Sequence, residues 1–198
     1  MQSAARHATR LPQRAHVRPY LLDEPASLSA ATAQQFISWL SDEERQRWQR
    51  LRHDGDRQEF LLARAMVRSL LGVMLQQPPD SLRFSSNRHG KPELQQPGLP
   101  PLRFNLSHTR GLLALAVTVV DDMGVDVESL ARKVEALALA ERFFAASETS
   151  MLRSVPAPQL HETFMRLWTL KEAWVKARGP GLQLGLDAFA IGFADDGR

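Results

Sequence analysis

Residues 168–179 read WTLKEAWVKARG, and their pattern predicts an amphipathic helix with charged residues beside its apolar side. Glu172 and Lys176 follow Trp168 at successive intervals of four residues, so all three side chains share one face of the helix. A carboxylate and an ammonium group beside a large indole are costly to bury without partners. The pattern leaves two interpretations open: an ordinary exposed ion pair, which is the simpler one, or a helix that lines a polar cleft.

The overall composition is that of a globular chain with a substantial core. The 198 residues, 43% of them hydrophobic, suit one domain or two small lobes. There is no cysteine, which excludes a disulfide framework, a zinc–thiolate site and a cysteine nucleophile, and fits a cytoplasmic location. The net charge of +3 favours acidic partners such as phosphates, nucleic acid or an acidic protein. The longest apolar run, residues 112–120, is too short to cross a bilayer.

The first 16 residues are basic and contain no acidic residue. Arginines recur at every fourth position from Arg6 to Arg18, a pattern that a targeting peptide could also show. Pro12 and Pro19 argue against one continuous helix, so we expect a loose N-terminal extension over residues 1–16.

The rest of the chain alternates helical and strand patterns, which predicts a layered fold of the α/β or α+β class. Ser41 is a good helix N-cap, because three acidic residues follow it in the first turn. The run 112–120 predicts a strand that is covered on both faces, and residues 53–56 predict a break between helices. Helices are predicted at about 41–51, 57–75, 130–144 and 160–178, and strands at about 17–22, 82–85, 102–106, 112–120, 125–128 and 184–193.

Asp126 and Glu128 form the sharpest chemical signal. In a strand, positions i and i+2 point to the same face and lie about 7 Å apart. Two carboxylates on one face repel each other unless a cation or solvent lies between them. Oxygen ligands suit Mg²⁺, which takes one or two protein carboxylates together with phosphate and water. An edge strand with a wet face remains the other interpretation.

Polar residues at strand ends and turns are candidate phosphate ligands. Ser107 and His108 are adjacent on a predicted strand, so their side chains point apart and do not form a catalytic pair. They could hold a phosphate group or simply mark a polar strand end. Lys91 follows a glycine turn and is either a phosphate ligand or a solvated turn residue, and the helical Arg47 and Arg64 are either ligands or solvent-facing charges. No Walker A or dinucleotide-binding glycine pattern is present.

Taken together and in order, several segments resemble the Sfp-type 4′-phosphopantetheinyl transferases. They are HGKP at 89–92, FNLSHT at 104–109, MGVDVE at 123–128 and LWTLKEAWVKARG at 167–179, and residues 142–144 and 182–189 also look like this family. The resemblance covers roughly residues 41–193, and the combination of G-V-D-V-E with W-x-x-K-E-x-x-x-K is its most specific part.

The resemblance implies a pseudo-dimer of two similar α/β lobes, with coenzyme A bound in the active-site cleft between them. We expect an N-terminal lobe at residues 17–109 and a C-terminal lobe at residues 110–198. Longer family members continue into further strands, so the second lobe is expected to be a shortened one.

The implied reaction transfers the 4′-phosphopantetheine group from coenzyme A to a serine of an acyl, polyketide or peptidyl carrier protein. By resemblance, Asp126, Glu128 and Glu172 bind Mg²⁺, with Mn²⁺ as an alternative ion. Glu172 is also a candidate general base for the carrier serine. Lys176 would hold the pyrophosphate and support the departing 3′,5′-ADP. The implied contacts to coenzyme A are Arg47, Arg64, Arg88, Lys91, Asn105, Ser107, His108, Lys171 and Lys176.

The implied protein partner is an acidic carrier protein, which a basic surface would steer towards the site. Phe143 and Phe144 could provide an apolar docking patch or pack in the core. We expect a monomer that has no membrane partner. We also expect no nucleic-acid partner, because nucleic-acid binding does not explain the carboxylate pair. The alternative to an enzyme is a non-catalytic coenzyme A- or nucleotide-binding protein. The presence of the four residues implied in catalysis and metal binding argues against it: Asp126, Glu128, Glu172 and Lys176.

Overall fold

Helices and two small antiparallel sheets make up the fold, which confirms the mixed α+β class. The computed structural model describes the backbone of residues 18–23 and all atoms of residues 27–87, 91–95, 102–119, 123–178 and 185–192. The helices are α1 (Ala30–Trp39), α2 (Asp42–Arg50), α3 (Asp54–Leu75), α4 (Ala136–Phe143), α5 (Ala146–Ser154) and α6 (Ala157–Arg178). The strands are β1 (Arg18–Asp23), β2 (Phe84–Ser86), β3 (Pro92–Leu94), β4 (Arg103–Thr109) and β5 (Leu112–Thr118).

Helix α2 begins where its sequence signal places it. The Ser41 hydroxyl accepts from the Glu44 amide at 3.2 Å, and the Glu44 carboxylate accepts from the Ser41 amide at 3.0 Å. This capping box satisfies two amides at the helix start, where the first turn has no intrahelical acceptors for them. The expected break between the helices is present, but it lies at residues 51–53 instead of 53–56, because α3 already begins at Asp54. Acidic side chains at this helix start are favoured by the positive end of the helix dipole.

The larger sheet has the strand order β1–β5–β4 with antiparallel neighbours, and β2 pairs with β3 in a second sheet. The predicted central strand is confirmed, since every residue of β5 after Leu112 is buried. Alternate residues of β5 share one face and join the apolar side of α3. The resulting first core contains Leu62, Met66, Val67, Leu71, Leu82, Leu102, Phe104, Leu113, Leu115 and Val117.

A second core forms among α4, α5 and α6. Phe144 is 5% exposed, and its ring stacks on Phe164 with centroids 5.3 Å apart. The Trp168 ring lies beside both, with its centroid 6.0 Å from that of Phe144 and 5.8 Å from that of Phe164. Phe144 is therefore a core residue, whereas Phe143 is half-buried at the edge of the same cluster.

The hairpin formed by β4 and β5 spans the predicted lobe boundary between residues 109 and 110. The two strands are paired along their whole length, and Gly111 turns the chain with a φ of 86°. A positive φ suits glycine because it has no Cβ. Since β5 contributes to the first core, residues 112–118 pack with the first half of the chain. The lobe boundary stays a prediction. The pseudo-dimer stays a prediction.

Two predicted strands in the second half do not occur in the described part of the structure. Residues 125–128 have no regular secondary structure. Residues 186–188 form a short 3₁₀ helix, and residues 185–192 contain no strand. The predicted helix 130–144 is shorter and begins at Ala136. The N-terminal extension, Arg88 and residues 179–184 lie outside the described residues.

Candidate functional site

The segment 123–128 lies directly against helix α6, and Gly124 allows this contact. A methyl group at Gly124 would overlap the carbonyl oxygen of Ala173 and lie 2.5 Å from the amide nitrogen of Ala177. A residue with a Cβ therefore does not fit here unless the segment and the helix backbone move apart. This close approach allows the side chain of Asp126 to reach α6.

Side chains of β4 bind the backbone of the same segment. The Asn105 side-chain oxygen accepts from the Val125 amide at 2.9 Å, and the Ser107 hydroxyl accepts from the Val127 amide at 3.3 Å. The predicted strand at residues 125–128 is therefore wrong for a physical reason, since side chains rather than a neighbouring backbone satisfy these two amides.

Asp126 is at the centre of the site, and its side chain is almost fully buried. This side chain is 6% exposed, and its Oδ1 atom accepts from Lys176 at 2.6 Å and from the Ser107 hydroxyl at 2.9 Å. Its Oδ2 atom is buried without a hydrogen-bond partner among the described residues. A buried carboxylate oxygen without a partner is unusual and indicates a position for a further cationic or hydrogen-bonding ligand.

Glu172 lies within electrostatic range of this pair. Burial raises the pKa of Glu172, and the negative charges of Asp126 and Glu128 raise it further. The Lys176 ammonium opposes this rise in pKa. The net result is a carboxyl group that holds its proton to a higher pH than an ordinary glutamate. Glu128 is less buried than Asp126 and forms an ion pair with Arg132 at 2.8 Å.

The metal-binding expectation rests on these three carboxylates. Among the described residues, no group of three or more histidine or acidic side chains is arranged as a metal-binding cluster. Oxygen donors are nevertheless present in the segment 123–128 and on α6, and Asp126 Oδ2 has no partner in the described structure. This donor set has the chemistry that Mg²⁺ prefers.

Lys176 on α6 forms an ion pair with Asp126 in the segment 123–128. The simpler interpretation, an exposed ion pair confined to α6, therefore does not hold. The Lys176 side chain is 31% exposed. A helix face that lines a polar cleft therefore fits the contacts better.

Lys171 lies in a different environment, which argues against its expected contact with coenzyme A. Its side chain is 0% exposed, and its ammonium donates to both Glu148 oxygens at 2.8 and 2.6 Å and to the Phe189 carbonyl at 2.7 Å. An ammonium group has three donors, and all three are used. Glu148 also accepts from the Ile191 amide at 2.8 Å. This buried pair ties α5 and α6 to residues 189–191.

Ser107 and Asn105, which are also expected to contact coenzyme A, are buried in the structure. They are 3% and 8% exposed, respectively. His108 points to the opposite face of β4, as the alternation of a strand requires. There its Nδ1 atom lies 2.5 Å from the carboxylate of Glu59 on α3, and its side chain is 54% exposed. The structure thus separates His108 from Ser107 and Asp126.

Arg47 and Arg64 lie together beside a cavity of about 600 Å³ between α2, α3 and β2. Arg64 is 3.5 Å from Glu44, which also binds the buried Arg68 at 2.6 Å. Burial lowers the pKa of Arg64, and the nearby Glu44 carboxylate opposes this change. The positive charges of Arg47 and Arg68 lower the pKa of Arg64 further. These four residues are three arginines and one glutamate, so positive charge exceeds negative charge among them.

Lys91 connects the two halves of the chain. Its ammonium donates to the Met123 carbonyl at 3.2 Å and to the Ala177 carbonyl at 3.4 Å. It also lines a cavity of about 360 Å³. Lys91 is thus close both to the segment 123–128 and to the C-terminal end of α6.

Two structural determinants of this region escape sequence reasoning. Nothing in the local sequence marks Glu148, because the burial of its carboxylate with Lys171 depends on contacts between distant segments. Gly124 carries a usable signal, since it directly precedes the carboxylate motif and a glycine can mark a close approach of another backbone.

Comparison with known proteins matches both halves of the chain. A family model described as "4'-phosphopantetheinyl transferase, N-terminal" matches residues 26–120, and one described as "4'-phosphopantetheinyl transferase superfamily" matches residues 122–198. These matches meet just after β5, in agreement with its packing in the first core. Among the described residues, no helix has the length and apolar character needed to span a membrane.

Curated relatives carry the same name. The chain is 36% identical to the 4′-phosphopantetheinyl transferase ffp of Bacillus subtilis over 177 residues, which are 89% of this chain and 76% of the relative. It is 33% identical to the transferase Sfp of Bacillus subtilis over the same shares of both chains. It is 35% identical to the transferase HetI of a Nostoc species over 88% of this chain and 72% of the relative. By this similarity over most of its length, the chain belongs to the 4′-phosphopantetheinyl transferase family.

Proposed function

We propose that this protein transfers the 4′-phosphopantetheine group from coenzyme A to a serine of a carrier protein and so converts the apo carrier to its holo form. Family membership supports the reaction class. The observation that carries the proposal for this chain is the ion pair of Asp126 with Lys176 between segment 123–128 and α6, with Glu172 within electrostatic range of both residues. Phosphoryl-type transfer needs cations beside the leaving oxygens and a base beside the nucleophile, and this cluster offers both.

In the proposed reaction, the carrier serine oxygen forms a bond to phosphorus, and the bond from phosphorus to the 3′,5′-ADP oxygen breaks. Glu172 accepts the serine proton, directly or through water. Burial and the neighbouring Asp126 carboxylate raise its pKa in the cation-free site, which makes it a stronger base there than an ordinary glutamate. Lys176, whose side chain is partly exposed, neutralises the charge that develops on the departing 3′,5′-ADP.

We propose that Asp126, Glu128 and Glu172 hold Mg²⁺, or Mn²⁺ in its place. Asp126 Oδ2 has no partner among the described residues, and burial together with the neighbouring carboxylates raises the pKa of Glu172. Both observations support this assignment. When bound, the ion would neutralise charge on the transferred and leaving phosphate oxygens.

Cationic side chains outside this cluster are the proposed contacts to the phosphates and nucleotide of coenzyme A. Lys91 lies near the segment 123–128, and Arg47 and Arg64 line their own cavity. His108 and Arg88 complete this set by resemblance.

Three residues that the resemblance implies as coenzyme A contacts already have protein partners in the structure. The Lys171 ammonium is buried and fully bonded. Asn105 and Ser107 are buried and bonded to the segment 123–128. The proposed protein partner is an acidic carrier, attracted by the basic surface, and the proposed acting form is a cytoplasmic monomer.

Intact-mass measurement tests the proposal most directly. The protein is incubated with coenzyme A, Mg²⁺ and a panel of apo carrier proteins of the fatty-acid, polyketide and peptide type. We expect at least one carrier to gain one phosphopantetheine group, and the same carrier with its acceptor serine replaced by alanine to gain none. Binding of coenzyme A without transfer to any carrier would favour the non-catalytic alternative.

A further inference from the structure

His108, near the end of β4, is joined to helix α3 through one nitrogen of its ring. Its Nδ1 atom lies 2.5 Å from a carboxylate oxygen of Glu59. An ionised carboxylate only accepts hydrogen bonds, so Nδ1 carries a hydrogen and donates it. The other ring nitrogen, Nε2, has no partner among the residues that the structure describes, and the side chain is 54% exposed. The protein thus fixes one nitrogen of this imidazole and leaves the second without a protein contact there.

The negative charge of Glu59 is unexpected beside a site for an anionic ligand. Glu59 directly precedes Phe60 on α3, and the guanidinium groups of Arg47 and Arg64 lie 5.9 and 5.2 Å from the centroid of the Phe60 ring. Both arginines are proposed contacts to the phosphates and nucleotide of coenzyme A. By Coulomb's law alone, a carboxylate near a phosphate weakens its binding. The contact with His108 gives this carboxylate a purpose that outweighs the repulsion.

The protonation state of His108 decides what its ring can offer to a phosphate. Phosphate oxygens accept hydrogen bonds, and such bonds are strong when the donor is charged. In a neutral imidazole one nitrogen donates and the other accepts, so a ring whose Nδ1 donates to Glu59 presents only a lone pair at Nε2. In the imidazolium both nitrogens donate. A carboxylate at Nδ1 orients the ring and balances the charge of the imidazolium.

We propose that Glu59 is a positioning residue that holds His108 by Nδ1, so that Nε2 of the imidazolium donates to a phosphate oxygen of coenzyme A. The proposal rests on the proposed function, because that function supplies the phosphate. Glu59 does not touch coenzyme A and acts only through His108. A carboxylate partner that orients a histidine from its second nitrogen is a common arrangement where that histidine binds a ligand.

Coenzyme A affinity provides the first test, because positioning and simple repulsion predict changes of opposite sign. The dissociation constant is measured by isothermal titration calorimetry at one pH, with Mg²⁺ and without a carrier. We expect Glu59→Gln to weaken binding at least about threefold, because it removes the charge that balances the imidazolium. Repulsion alone would make the same variant bind more tightly. Asp56→Asn is the matched control, since it removes an equal charge from an exposed position on α3 and should change nothing.

A double-mutant cycle shows whether Glu59 acts through His108. We expect His108→Ala to weaken coenzyme A binding about 10-fold or more, because a charge-assisted hydrogen bond is lost. Adding Glu59→Gln to His108→Ala should then cause no further loss, because the residue through which Glu59 acts is already absent. Two losses that simply add would overturn the positioning role, since a purely structural contribution of Glu59 persists without His108.

The ¹⁵N NMR signals of the His108 ring report on the hydrogen positions directly, and the spectrum of His108→Ala assigns them. In the wild type we expect a hydrogen on Nδ1, and hydrogens on both nitrogens once coenzyme A is bound. In Glu59→Gln the fraction of rings that carry both hydrogens in the complex should fall. A wild-type ring without a hydrogen on Nδ1 would overturn the proposal, and this measurement remains decisive if Glu59→Gln does not fold.

The outcomes separate this proposal from the proposed function. If Glu59→Gln binds coenzyme A as tightly as the wild type or more tightly, the positioning role is overturned, and the transferase proposal is unaffected. If coenzyme A binding follows the expected pattern but no carrier is modified, the transferase proposal fails, and the positioning role stands. A wild-type protein that neither binds coenzyme A nor transfers the group would overturn both.

Discussion

The ammonium group of Lys176 lies 2.6 Å from Oδ1 of Asp126, although the two residues are 50 positions apart in the chain. This contact joins the C-terminal part of α6 to the segment that follows the first sheet. The Asp126 side chain is 6% exposed, so its negative charge depends on this partner and on Ser107. Removing one member of such a pair leaves an uncompensated charge, which is why the site is sensitive to single substitutions.

Lys176→Met is expected to abolish most transfer. The substitution removes the cation proposed to stabilise the leaving group, and the loss of one such electrostatic contact typically lowers kcat about 100- to 1,000-fold. The rate of holo-carrier formation measures the effect, with circular dichroism to show that the variant is folded. Lys133→Met is the matched control, because Lys133 is exposed and lies outside the site. Transfer by Lys176→Met at the wild-type rate would exclude a catalytic role for this lysine.

Glu172→Gln is expected to lose transfer and to gain stability at neutral pH. The pKa of Glu172 is raised on folding, so the folded state binds its proton more tightly than the unfolded state. Stability from this group is therefore fully present below the unfolded pKa and is lost as the pH rises through the higher, folded pKa. Glutamine does not titrate and avoids this loss.

The measurement is the melting temperature of both proteins, without divalent ions, from about pH 4 to about pH 8, a range that brackets an ordinary and a raised glutamate pKa. The wild type should fall relative to Glu172→Gln as the pH rises, and the difference should shrink at the acid end. Parallel melting curves would show that the environment of Glu172 does not raise its pKa.

Gly124→Ala is expected to destabilise the protein and to reduce transfer. The added methyl group would overlap the Ala173 carbonyl, and overpacking of this kind costs about 1–3 kcal/mol. Urea unfolding measures the change. Gly55→Ala is the control, since no atom lies within 4 Å of its added methyl group, and it should be neutral or stabilising by up to about 1 kcal/mol because alanine favours helix. Equal effects of the two substitutions would contradict the close packing of Gly124.

Lys171→Met is expected to affect stability rather than coenzyme A binding. It leaves the buried Glu148 carboxylate without its cation, which typically costs about 3–5 kcal/mol. Arg153→Ala breaks an exposed pair with Glu141 and should cost no more than about 1 kcal/mol. Urea unfolding compares the two, and the KM for coenzyme A of folded Lys171→Met should match the wild type. A raised KM with normal stability would return Lys171 to the ligand set.

Local sequence patterns predict those elements whose structure depends only on neighbouring residues. The capping box at Ser41 and the apolar strand β5 are predictable because capping and continuous burial depend on neighbouring residues. The segment 125–128 alternates like a strand but is not one. Its amides bind side chains of β4, and a periodic pattern carries no information about which groups lie opposite it.

Two lysines of α6 show which properties follow from the sequence alone and which depend on the tertiary structure. The sequence by itself determined the family, the helix, and the placement of Glu172 and Lys176 on one face, because helical periodicity depends on the local chain. Only the tertiary structure decided that Lys176 meets Asp126 while Lys171 is buried against Glu148. The reason is physical: the cost of burying an ammonium depends on the carboxylates and carbonyls that distant segments bring to it.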